Sequence, residues 1–178
     1  AWMMVASALV LLMTPGLAFF YGGLVRAKNV VSTMMYSFAA MALMPVIWVL
    51  WGYSLAFGEG NAFIGDFSHF LLNGINMTST DPAADIMFVI FQGKFAMITP
   101  ALITGAFVER FKFSTYLIFI TWWVTLVYAP VCHWVWGGGW ISQGVFGDQG
   151  ALDFAGGTVV HLNAGAAALV AAWMVGKR

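Results

Sequence analysis

The chain is poor in charge. Lys and Arg number 7, Asp and Glu another 7, and together they make up 8% of 178 residues. A soluble globule of this length carries far more, because its surface must be hydrated. The basic residues nowhere form the cluster that a nucleic-acid surface needs, so nucleic acid is excluded as a partner. A single cysteine, Cys132, rules out an internal disulfide, and its place in an apolar run suits a small packing residue. His69, His133 and His161 lack the spacing of a ligand pair, so neither a metal nor another cofactor is expected. A soluble domain and a low-complexity linker are missing too, as is an initiating Met, which leaves room for an upstream segment.

What is abundant is apolar surface: 62% of residues are hydrophobic and 17% aromatic. Long, nearly uncharged runs cover 2–25, 30–57, 86–107, 113–136 and 156–175. Each is long enough to cross a hydrocarbon core of about 30 Å at about 1.5 Å per residue. The expected fold is therefore all-α, a polytopic membrane protein with five transmembrane helices and the lipid bilayer as solvent. Thr14-Pro15-Gly16 should bend the first span. The segment 58–85, rich in Gly, Asn, Asp, Ser and Thr, reads as a solvent-exposed loop with a short helical turn around His69. Asn76-Met77-Thr78 fits a glycosylation sequon, a pattern short enough to arise by accident.

The few charges are sorted. Arg26, Lys28, Arg110, Lys112, Lys177 and Arg178 follow spans one, three and five, whereas Glu59, Asp66, Asp81, Asp85, Asp148 and Asp153 fall at the opposite ends. By the positive-inside rule the basic side is cytoplasmic, so the first residue lies outside and the last inside a plasma or inner membrane. Five is an odd number, and a related copy following an odd-span module inserts upside down, as in inverted-repeat transporters. The chain reads as the first half of such a protein.

One stretch joins expensive groups. In Ala151 to His161, a carboxylate and Gly156-Gly157 lead into an apolar helix that carries a histidine. Ionisable groups at bilayer depth are functional by default. Asp153 stands where a side chain can cap the free amides opening span five, and that role ranks above direct substrate contact. His161 could be a hydrogen-bonded core histidine or could line a path, and spacing alone leaves both open. His133 suits packing or hydrogen bonding better than ligand binding. An intramembrane hydrolase built on Asp153 and His161 is disfavoured because no positioned nucleophile accompanies them.

Residues 19–29 (FFYGGLVRAKN), 51–58 (WGYSLAFG), Phe91-Gln92-Gly93, 133–139 (HWVWGGG) and 151–161 resemble the ammonium transporter (Amt/Mep/Rh) family along nearly the whole chain. The resemblance implies the amino-terminal five-helix half of an eleven-helix, homotrimeric channel fold, with the second half as a partner and a cytoplasmic regulatory protein as a further one. It implies that Trp136 and Phe95 recruit and gate ammonium outside, with Phe91 lining the same vestibule one turn away. His161 becomes the first of two pore histidines, and Asp153 the buried aspartate beside the recruitment site. From the residues alone, Trp136 could equally be an interface anchor and the phenylalanines lipid-facing. The implied activity is non-enzymatic: ammonium is recruited, deprotonated and conducted as ammonia. The alternative is an ammonium-sensing module of a signalling receptor. Lys94 departs from the family pattern, in which a small or apolar residue is usual between Gly93 and Phe95.

Overall fold

The computed structural model describes residues 1–77, 81, 85–144 and 150–177. Five helices long and apolar enough to cross a membrane make up its bulk: α1 Trp2–Gly23, α2 Ala27–Phe57, α3 Ile86–Ala106, α4 Phe113–Trp136 and α5 Gly157–Val175. The described residues form no strand beyond an isolated bridge between Asn76 and Asp85. Short turns follow α1 and α3 and longer segments follow α2 and α4; α3 is the most enclosed helix and α1 and α5 the least.

Proline shapes these helices less uniformly than expected. Pro15 lies inside α1 without ending it. One missing N–H removes one hydrogen bond, and in an apolar setting the rest of the ladder holds. α2 and α4 instead carry π-helical turns, Trp48–Gly52 after Pro45 and Val124–Tyr128 before Pro130. Near Pro130 the wider turn absorbs the carbonyl that the imide cannot serve.

Tyrosines rivet the helix halves beside the turns that follow α1 and α3. Tyr116 Oη donates to the Tyr36 carbonyl at 3.0 Å, Tyr36 Oη to the Phe111 carbonyl at 2.5 Å and Tyr21 Oη to the Leu102 carbonyl at 2.8 Å. At these turns Glu109 accepts from Asn29 Nδ2 at 2.5 Å and pairs with Arg26 at 3.3 Å. Arg110 donates to the carbonyls of Ala106 and Gly176, tying the α3–α4 turn to the end of α5.

The segment after α2 is less free than its polar composition suggests. Gly65 N donates to the Leu55 carbonyl at 2.8 Å, Ser54 Oγ to the Asp66 carbonyl at 2.8 Å and Trp134 Nε1 to the Phe63 carbonyl at 2.6 Å. These bonds fasten it over the C-terminal ends of α2 and α4. A 3-10 turn, Phe70–Leu72, follows His69. The sequon is completed by Thr78, which lies outside the described residues.

Candidate functional site

The site assembles where α3, α4 and the start of α5 meet. Phe91 and Phe95 lie one turn apart on α3 with ring centroids 5.0 Å apart and planes at 86°. Phe95, 8% exposed, meets Trp136 at the end of α4 with centroids at 5.7 Å and planes at 63°. Such edge contacts suit rings whose faces are electron-rich and whose rims are not. Trp136 is therefore packed against protein, and its Nε1 donates to the Asp153 carbonyl oxygen at 2.9 Å.

Asp153 is the hub. Its Oδ1 accepts from the amides of Gly156 at 2.6 Å and Gly157 at 2.8 Å; its Oδ2 accepts from Thr158 at 2.8 Å and Val159 at 3.0 Å. All four are amides at a helix start, where no helical carbonyl is available to them. The carboxylate also meets the positive end of the helix dipole. Partial burial opposes its ionisation, but the bonds from Val159, Thr158, Gly156 and Gly157 outweigh that, and the carboxyl is held below its ordinary range. Gly156 has φ +87°, and a Cβ there would lie 2.6 Å from Val160 Cγ2, so glycine is needed for both the backbone and the space.

That turn also sets the angle of His161. The first turns of α5, Gly157–Leu162, are π-helical, with His161 N donating to the Gly156 carbonyl at 2.8 Å. One residue more or less before His161 would swing its side chain by about 100° around the axis. Val159 and Val160 are buried while His161 is exposed, and a Cβ on either Gly157 or Gly165 would meet nothing within 4 Å. The imidazole therefore faces open space beside two glycines, at the foot of the helix start that Asp153 caps.

His133 belongs to the scaffold. It is 1% exposed, with Nδ1 3.0 Å from the Ala56 carbonyl oxygen and Nε2 2.7 Å from that of Asn61, and whichever nitrogen carries a proton donates. A Cβ on Gly137 would lie 2.0 Å from the Ala56 carbonyl oxygen and 2.8 Å from His133 Nδ1. The Gly137-Gly138-Gly139 run thus lets the chain turn tightly over this clamp and present Trp136.

Sequence reasoning missed Trp48. Its Nε1 donates to the Val89 carbonyl at 3.1 Å, and a Cβ on Gly93 would lie 2.9 Å from Trp48 Cδ1. Trp48 thereby seats the stretch of α3 that carries both phenylalanines. The signal was Gly93, a helix-weakening residue amid bulky ones. Among the described residues no group of three His, Cys, Asp or Glu gathers as metal ligands. A groove of ≈620 Å³ between α4 and α5 is lined by residues such as Trp123, Asn163 and Val170 and contains none of Phe91, Phe95, Trp136, Asp153 and His161.

The chain matches the Ammonium Transporter Family over residues 1–178. It is 51% identical to an ammonium transporter of Bacillus subtilis, over 99% of this chain and 43% of that protein. It is similar to the crystal structure of Candida albicans Mep2, with TM-score 0.84 and 37% identity, covering 99% of this chain and 39% of the other. It is also similar to a structure described as a sensor Amt protein, with TM-score 0.89 and 29% identity over 99% of this chain and 44% of that one. The chain spans about two fifths of the length of these relatives.

Proposed function

Because this chain belongs to the ammonium transporter family, we propose that it forms the amino-terminal half of a protein that moves ammonium across a cell membrane as ammonia. The observation that carries this reading is the continuous stack Phe91–Phe95–Trp136, held by the Asp153 loop at the start of the helix that carries His161. An aromatic face attracts a cation by about 0.5 to 2 kcal/mol, more when water is excluded. Trp136 and Phe95, with Phe91 beside them, gather ammonium at the outer mouth. An unpaired cation is costly in hydrocarbon, so ammonium sheds its proton there and passes as a neutral base. His161 offers one donor and one acceptor nitrogen when neutral, which lets it hand ammonia along or relay the released proton. Asp153 holds the loop and adds negative potential without touching the substrate, because its lone pairs are already engaged by amides.

A related second half closes the path as an inverted repeat, three such units form a homotrimer, and a cytoplasmic regulatory protein engages the inner face. The first residue is outside and the last is cytoplasmic. The test is ammonium-driven alkalinisation inside proteoliposomes that hold the protein made from its uninterrupted gene. Trp136→Ala should raise the half-saturating ammonium concentration about 5- to 30-fold, the equivalent of about 1 to 2 kcal/mol of lost cation attraction. His161→Ala should change the rate or the proton coupling without that shift. No flux above that of empty vesicles would end the proposal. Sensing is the second reading, favoured by the likeness to a sensor Amt protein. A signalling domain encoded downstream, together with ammonium binding without flux, would establish it instead.

A further inference from the structure

We propose that Lys94 is a resident cation of the outer vestibule, which weakens ammonium recruitment and makes it sensitive to salt. The proposal rests on the reading of Phe91, Phe95 and Trp136 as the recruitment site. Lys94 lies eight residues into α3, about 12 Å below its outer end. Lys28 stands at the very start of α2; otherwise the five spans hold no Asp, Glu, Lys or Arg but this lysine. It occupies the most enclosed helix, among the buried Gln92, Gly93, Phe95, Ala96 and Met97, yet is itself only half-buried. Among the described residues it has no ion pair or hydrogen bond.

Two carboxylates, Asp85 and Asp153, are engaged by backbone amides. Asp85 caps its own helix through Met87 N at 2.8 Å, and Asp153 is filled by four amides. Lys94 is bonded to Phe95, and it lies on the same face as Phe91, three residues before it. Helix side chains lean toward the N-terminus, here the outer end, so the stem runs up past Phe91 with its ammonium in the wetter zone. From an adjacent Cα the ammonium can come within roughly 10 Å of the Phe95 ring, about one Debye length at roughly 0.1 M salt. A cation arriving at the stack meets that like charge as well as the negative potential of Asp153, and among the described residues no ion pair neutralises the lysine.

The experiment compares Lys94→Gln, which removes the charge, with Lys94→Arg, which keeps it, in the full-length protein in vesicles. Lys94→Gln should lower the half-saturating ammonium concentration roughly 3- to 10-fold at low salt with the maximal rate little changed. Lys94→Arg should track the parent, and the gap between Gln and parent should close as ionic strength rises. Isothermal titration with ammonium chloride reads the same shift as a dissociation constant, so absence of flux would end the transport reading and leave this inference tested. Equal affinities for parent, Gln and Arg at low salt would overturn it and mark Lys94 as a snorkelling lipid-side residue. So would a drop in maximal rate for both variants with no change in half-saturation.

Discussion

The sharpest expectation concerns replacement of the Asp153 carboxylate. Its two oxygens serve four amides at 2.6 to 3.0 Å, so Asp153→Asn keeps one good acceptor and turns an NH₂ toward the other pair. The surviving oxygen does most good at Thr158 and Val159, because Val159 is fully buried and cannot turn to water. Gly157 is exposed and rehydrates, while Gly156 is buried and loses its partner. One buried, unsatisfied amide costs about 1 to 3 kcal/mol, and the lost charge at the helix start adds about 0.3 to 1 kcal/mol. Asp153→Asn should thus destabilise by about 1 to 4 kcal/mol. Asp153→Ala also strands Val159, so it should cost more. Both loosen the carbonyl that holds the Trp136 indole. Thermal unfolding in detergent gives the order of stability, and hydrogen exchange at residues 156–159 locates the loss. An Ala variant as stable as the Asn one, or both within about 0.5 kcal/mol of the parent, would refute the capping argument.

Two further outcomes follow from the same geometry. Gly93→Ala drives a Cβ to 2.9 Å from Trp48 Cδ1, so it should cost about 1 to 3 kcal/mol and weaken the Trp48–Val89 bond; a melting temperature equal to the parent's would show that Trp48 is free to move. Because the carboxyl of Asp153 titrates below its unfolded value near 3.9, its contribution is complete above that pH and fades as pH falls through the folded value. Trp136 fluorescence followed down an acid titration should report that loss, and Asp153→Asn should lack this acid limb.

The five helices and their order were legible because a backbone in hydrocarbon must satisfy its own hydrogen bonds, which leaves long uncharged runs little choice but helix. The Asp153 cap was legible for a similar reason: a carboxylate four residues before a helix start meets free amides there, whatever surrounds it. Phe91 and Phe95 as neighbours follow from helical spacing alone. The π-turns were not legible, since periodicity sums over many residues and hides one extra. Nor was the fastening of residues 58–75, whose polar side chains looked destined for water while their backbone carbonyls were taken by Trp134 and His133.

By itself, then, the sequence determined what desolvation and local geometry enforce: membrane helices, sorted charges, a capped fifth span with a histidine on it. The tertiary structure decided the contacts made across distant segments. It brought Trp136 against Phe95, set Trp48 into the notch at Gly93, closed the carbonyls of Ala56 and Asn61 around His133, and left Lys94 half-buried with no ion pair among the described residues. Hydropathy and spacing act along one chain segment, whereas these contacts depend on how segments far apart in sequence rotate and pack against each other. No single segment encodes that.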